Sequence, residues 1–301
     1  MVTLPSVFGF QVQSSVPLRF LRDGGGEQLL QIVESEGRAE RPGVGLVGEW
    51  PLHGAAYAAQ AALYEVPDGF EYWTTDAGRF RIDLARGRIE IPAEGDDILR
   101  EQRLHGMPML LSFAHRGDFS LHAAAVEVSG RAIILAAPSR FGKTTLGLAF
   151  HRRGHRLLSE DLVCCRPSTM AVLPGPAVVR LRPDVYRGAP PEGTELVAER
   201  PDRVFLTLSP DRRGASSPVP IAGLFFLREA EVVSVNAASA VDNVKDLWHL
   251  GYRAPTVDGR SESFRQLTEF AGAVPIWNVE RPMRLDALER TVDLIVQQAC
   301  G

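Results

Sequence analysis

The feature that most constrains this chain is one strand–turn–helix passage. Ala132 to Ala137 is an unbroken apolar run, as in a strand covered on both faces. Pro138-Ser139-Arg140-Phe141-Gly142-Lys143-Thr144 then turns the chain, and helical sequence follows from Thr144 to Arg153. Gly154 stands where a C-terminal cap would fall. A buried strand that enters a helix through Gly-Lys-Thr is the setting of a phosphate-binding P-loop. Backbone N–H groups and the helix dipole meet an anion at such a turn. Lys143 would reach terminal phosphates as a mobile point charge, and the Thr144 hydroxyl would ligate Mg²⁺. Gly142 lets the backbone approach without a Cβ. Pro138, Ser139, Arg140, Phe141 and Thr145 complete the candidate cofactor-binding stretch. Two departures from GxxxxGK[ST] stand out. Ala137 replaces the first glycine, and Pro138 removes one backbone donor; Arg140 adds a compensating cation. The lysine is itself informative. Of 33 basic side chains only Lys143 and Lys245 are lysine, and one of them falls where the motif needs it.

Glu160-Asp161 interrupts the apolar stretch Leu157 to Val163. Two buried acids without a cation are costly. Beside a P-loop they have two uses: one carboxylate positions Mg²⁺ or its water, and the other accepts the proton of an attacking hydroxyl. Without the P-loop they read as an exposed acidic pair. His122, in Ser120-Leu121-His122-Ala123, reads on its own as a satisfied core histidine. Arg180 and Arg182 alternate onto one strand face, which reads as exposed and polar, although the two could meet one anion together. Arg203, Arg212 and Arg213 fall near strand or loop ends, within reach of phosphate or substrate.

The rest of the chain divides near Arg116-Gly117-Asp118. Before that point, Leu63 to Val66, Phe70 to Trp73, Phe80 to Leu84 and Ile89 to Ile91 alternate like half-buried antiparallel strands joined by turns. Pro42 to Pro51 reads as loop. Asp96-Asp97 can cap a helix carrying Ile98, Leu99, Leu104, Met107, Leu110 and Leu111, with Pro108 as a kink. Beyond it, strands are expected at Leu121–Val128, Arg156–Cys165, Ala177–Arg180, Val204–Leu208 and Ile221–Leu227. Leu285, Leu288, Val292, Ile295 and Val296 recur at helical spacing. The expected organisation is a β-rich N-terminal domain ending in a helix, residues 1–117, and an α/β domain, residues 118–301. Trp50, Trp73, Trp248 and Trp277 read as core residues, and Lys245 as an exposed helix position.

Composition narrows the function classes. With 45% hydrophobic and 23% charged residues over 301 positions, the chain can bury a real core and is not wholly disordered. A net charge of -4 argues against a dedicated nucleic-acid binder or a polybasic membrane protein. Cys164, Cys165 and Cys300 form neither a disulfide framework nor a CxxC metal pattern. The start, Met1-Val2-Thr3-Leu4-Pro5, lacks a charged n-region and a continuous apolar run, and no stretch approaches the roughly 18 apolar residues of a membrane span. A soluble, cytoplasmic protein is expected.

Three stretches occur together: Leu121-His122-Ala123; the turn Ala137 to Thr144; and Arg153-Gly154-His155-Arg156-Leu157-Leu158-Ser159-Glu160-Asp161. Their order and spacing resemble the catalytic domain of HPr kinase, and especially the wider group of HPr-kinase-like serine kinases. No glycine-rich RGLGI-type segment follows the acidic pair, so the resemblance is to the wider group and not to HPr kinase itself. The resemblance implies a phosphoenolpyruvate-carboxykinase-like P-loop kinase domain, with ATP and Mg²⁺ as cofactors. It implies that Lys143 binds phosphates, that Thr144, Glu160 and Asp161 serve the metal, and that Asp161 accepts the proton. It also places His122 in the active site. The implied partners are a nucleotide and a hydroxyl-bearing peptide, protein or small molecule, with homo-oligomers allowed and no nucleic acid or membrane. The competing expectation is a decayed nucleotide-sensing or partner-binding module of the same fold. Carboxykinase-like chemistry itself is disfavoured, because it needs lysine ligands that only Lys143 and Lys245 could supply.

Overall fold

The computed structural model describes residues 3–35, 40–52, 59–214, 216–253 and 255–301, so Met1 and Val2 lie outside the described residues. Among the described residues the strands form three sheets, and the fold is mixed α/β. The N-terminal sheet has eight strands. Ala59–Val66, Gly69–Thr74, Gly78–Asp83 and Arg88–Ile91 pair antiparallel in succession. Two further pairings are parallel: Phe10–Ser14 with Gln28–Glu34, and Gln28–Glu34 with Arg88–Ile91. Parallel neighbours need long connections and leave no hairpin signal in the sequence. The expected loop over Pro42–Pro51 is corrected in part, because Leu46–Leu52 is a strand. It is the sheet's edge, paired with Ala59–Val66 and shifted in register beside Gly48. An edge tolerates Pro51 because one side needs no ladder donors.

The single kinked helix is also corrected. Two helices form, α1 (Asp97–Leu104) and α2 (Met107–His115). Asp96 caps α1 by accepting from the Leu99 amide at 3.0 Å. Pro108 sits in the first turn of α2, where its missing N–H is not needed.

In the ten-stranded sheet, Ala123–Val128 pairs antiparallel with Arg131–Ala136. Arg131–Ala136 runs parallel to Val219–Glu229, and Val219–Glu229 runs parallel to Ile276–Arg281. The apolar run therefore lies inside the sheet. Ile133 and Leu135 pack with Leu146, Phe150 and Phe225 on one face, while Ile134 packs with Phe226 and Phe270 on the other. Each such burial stabilises the fold by about 1.5–3 kcal/mol. The turn leaves this strand and enters α3 (Lys143–Arg152).

The expected strand Arg156–Cys165 is two strands. Arg156–Ser159 pairs with Ala123–Val128, and Val163–Arg166 pairs with Phe119–Leu121. The break falls at Glu160-Asp161-Leu162, and Asp161 takes φ +72°. Aspartate visits this left-handed region more readily than most residues, and two carboxylates cost less at a break than inside an apolar ladder.

The N-terminal segment is fastened to the larger sheet by Arg22, a fully buried side chain. Its guanidinium donates to the carbonyls of Gly175 at 2.6 Å, of Leu157 and Leu158 at 2.9 Å each, and of Arg213. Burial first, then Arg156 and Arg213, lower its pKa to about 9. Glu101 of α1 accepts from the Arg19 and Phe20 amides at 2.8 Å each. The core under the eight-stranded sheet also takes in Cys164 and Leu173. Burial raises the thiol pKa of both Cys164 and Cys165. No helix among the described residues is long and apolar enough to cross a membrane.

Candidate active site

A cleft of about 1280 Å³ lies against the turn that enters α3. One wall is the turn itself, with Glu160, Asp161 and Arg180 beside it. The facing wall comes from the N-terminal sheet and α1, including Trp50, Tyr72 and Leu99. Trp50, expected as core, is only half-buried here and stacks on Tyr72.

The turn is shaped by its backbone. Arg140 has φ +72° and Gly142 φ +75°. A Cβ at Gly142 would lie 2.5 Å from Arg281 Nη2, so glycine both suits the dihedral and spares a shift of that guanidinium. Arg281 is 3% exposed and donates from Nη2 to the Phe141 carbonyl at 2.9 Å. Gly142→Ala is expected to cost about 1–2 kcal/mol through the left-handed backbone alone, read as a lower denaturant midpoint. An unchanged midpoint would mean that the turn relaxes freely.

Lys143 opens α3 and is 7% exposed. Its Nζ donates to the carbonyls of Ala137 at 2.8 Å and Pro138 at 3.1 Å, and lies 3.0 Å from His122 Nε2. Burial lowers its pKa, and the charges of Asp161 and Glu160 oppose that shift. Ser139 Oγ is 3.4 Å from the same imidazole nitrogen. Thr144 Oγ1 donates to Glu160 Oε1 at 2.7 Å. Arg140 and Thr145 border the cleft, and Phe141 packs against the core beneath the turn.

His122 links the two ends of the site. Its Nδ1 lies 3.0 Å from Asp161 Oδ1, and its Nε2 faces Lys143. Arg180 closes the acidic side, with Nε 3.1 Å from Glu160 Oε2 and Nη2 2.8 Å from Asp161 Oδ2. Arg180 is thus no exposed strand face, and the anions it meets are the chain's own two acids. Burial favours neutral forms here but is overruled on both sides. Arg180, then His122 and Lys143, hold the Asp161 carboxyl well below the usual carboxylate range. Glu160 and Asp161 in turn raise the Arg180 pKa.

Arg182 turns away to Asp184, and the two guanidiniums do not share an anion. Arg203 borders the cleft. Arg212 lies near Asp211, and Arg213 donates to the Leu208 carbonyl. Two residues escaped the sequence reading. Arg281 lies far along the chain from the turn that it supports. Tyr252 lines the cleft with its Oη 2.9 Å from His122 Nδ1, across 130 residues of sequence.

No family model matches the chain. A 74-residue stretch, 25% of the chain, is 34% identical to the HPr kinase/phosphorylase of Limosilactobacillus reuteri strain DSM 20016. The same values hold for the protein of that name in L. reuteri subsp. reuteri strain JCM 1112. The stretch covers 23% of each, so the chain spans about a quarter of the length of the curated relatives it matches. Among solved structures, the HPr(Ser) kinase/phosphatase from Coxiella burnetii aligns over 59% of this chain and 94% of its own, at 11% identity and a TM-score of 0.31. On the sequence match, this chain carries an HPr-kinase-like segment.

Proposed function

We propose that this chain is a nucleotide-dependent phosphotransferase that moves the γ-phosphate of ATP to a serine-type hydroxyl of a peptide, protein or small metabolite. One observation carries the reading. Lys143, at the mouth of a helix entered from a buried strand, is joined through His122 to Asp161 in a single cleft. In this reading residues 118–301 form the P-loop kinase domain, of phosphoenolpyruvate-carboxykinase-like kind. Residues 1–117 form the β-rich domain that supplies the facing wall. The cleft exceeds the roughly 300–1,000 Å³ common for one small ligand, which suits a nucleotide and an acceptor side by side.

The residues present fit the implied groups. The left-handed turn offers backbone N–H groups to an anion, with Lys143 beside it. Thr144, Glu160 and Asp161 are hard oxygen donors, as Mg²⁺ requires. Among the described residues no group of three or more histidine, cysteine or acidic side chains could hold a metal alone. That suits an ion that arrives with phosphates and keeps some of its waters. When bound, Mg²⁺ would neutralise charge on the phosphates. Lys143 would leave the carbonyls of Ala137 and Pro138 for the phosphate oxygens. Asp161, oriented by His122, would accept the proton of the acceptor hydroxyl, and the cleft walls would exclude water.

The second reading, a binding module that no longer turns over, is favoured by Arg180, which neutralises both acids in the fold. Turnover of γ-labelled Mg-ATP separates the two. Slow transfer to water or to an added hydroxyl supports the kinase, whereas tight binding with no label released supports the module.

A further inference from the structure

Tyr252 has no part in the reading above, yet its hydroxyl sits at the reacting end of the site. It lies on the short strand Gly251–Tyr252, which pairs with Phe119–Leu121 just before His122. Its ring meets the His122 ring edge-on, with centroids 5.5 Å apart.

The proton on His122 can be placed by elimination. Nε2 faces the ammonium of Lys143, which donates and cannot accept. Nδ1 faces the Asp161 carboxylate at 3.0 Å and the Asp161 carbonyl at 3.2 Å, both of which only accept. Both sides of the ring therefore ask for the tautomer with hydrogen on Nδ1. Tyr252 Oη, 2.9 Å from that nitrogen, then stands as an acceptor. Its own O–H is left free to rotate toward the cleft that it lines. A phenol titrates at about pH 10, so this donor keeps its hydrogen at neutral pH.

We propose that Tyr252 is a further catalytic residue of the phosphotransferase, whose hydroxyl donates a hydrogen bond to the phosphoryl group in transit. The inference rests on the kinase reading. In the step, the acceptor oxygen forms a bond to the γ-phosphorus. The bond from that phosphorus to the β–γ bridging oxygen breaks, and its electron pair leaves with ADP. The acceptor proton goes to Asp161. Tyr252 loses no proton; it stabilises charge on the equatorial oxygens, which is greatest midway.

The test needs no knowledge of the natural acceptor. Mg-ADP with fluoroaluminate mimics the phosphoryl group in flight, with water in the acceptor's place. Its affinity is measured by calorimetry for the wild type and for Tyr252→Phe, beside Mg-ATP and Mg-ADP. Tyr252→Phe keeps the ring and its contact with His122, and an unchanged melting temperature checks the fold. The expected result is a loss of about tenfold or more for the fluoroaluminate complex, as for a hydrogen bond to a charged group. Mg-ATP and Mg-ADP affinities should stay within about twofold. Equal fluoroaluminate affinity in both proteins, or an equal loss for all three ligands, overturns the proposal. No binding of Mg-ATP to the wild type sinks the kinase reading first, and this proposal with it.

Discussion

Asp161→Asn should lower phosphoryl transfer by about 10²–10⁴ while leaving Mg-ATP affinity within a few-fold of wild type. Two features make the substitution clean. Asparagine has the same shape, and it is among the few residues that accept the φ of +72° held at this position. What it loses is the charge between His122 Nδ1 and Arg180 Nη2 and the capacity to accept a proton. A positioned base contributes about 10²–10⁴ in rate, so transfer should fall by that factor. The Pro138–Thr144 turn, Lys143, Thr144 and Glu160 are untouched, and the asparagine amide keeps an oxygen to offer Mg²⁺ in place of the Asp161 carboxylate, so binding should survive. Undiminished transfer would remove Asp161 as the base. The pH response has a definite sign. The folded carboxyl titrates below its unfolded value because of Arg180, His122 and Lys143, acting against burial. Its contribution to stability is therefore fully present above about pH 4 and is lost only as pH falls further. Loss of activity between pH 7 and 5 should not come from this group.

The largest stability effect is expected at Arg22. Four carbonyls accept from one guanidinium that reaches from the N-terminal segment to Leu157, Leu158, Gly175 and Arg213, and of these Leu158 has a second donor in the Gly175 amide. Arg22→Met keeps much of the volume and removes every donor. Unpaired buried acceptors cost about 1–3 kcal/mol each before relaxation, so a net loss of about 3–5 kcal/mol is expected. Chemical denaturation of the variant measures it. Arg22→Lys, with three donors for four carbonyls, should fall between the two. A loss below about 1 kcal/mol for Arg22→Met would mean that water replaces the guanidinium at little cost.

What could be read from the sequence follows from how local each cause is. The strand–turn–helix passage was legible because an apolar run, a glycine-containing turn and a helical stretch follow one another directly. The hairpins from Leu63 to Ile91 were legible because alternation and turn residues are local signals. The edge strand Leu46–Leu52 was hidden by its glycine and proline, which only an edge position tolerates. The parallel pairings of Gln28–Glu34 left no mark, because no short turn joins them. The acids were visible as a pair, but the chain break that carries them was not, since it depends on Asp161 adopting a left-handed backbone. Arg180 was seen with the wrong neighbours. A strand face is exposed or buried according to what the rest of the chain lays against it, and here that is Glu160 and Asp161. Tyr252 and Arg281 meet their partners across more than a hundred residues, and a lone tyrosine or arginine carries no spacing to be read.

The central claim is that the Gly142-Lys143-Thr144 turn binds a nucleotide despite Ala137 and Pro138. Calorimetric titration of Mg-ATP into the wild-type protein and into Lys143→Ala tests it most directly. The account predicts micromolar binding to the wild type, and a loss of at least about 100-fold in the variant, as for a charged contact removed from a buried site. Silence from both proteins, with GTP and pyrophosphate also unbound, would contradict it, as would binding that ignores the loss of Lys143.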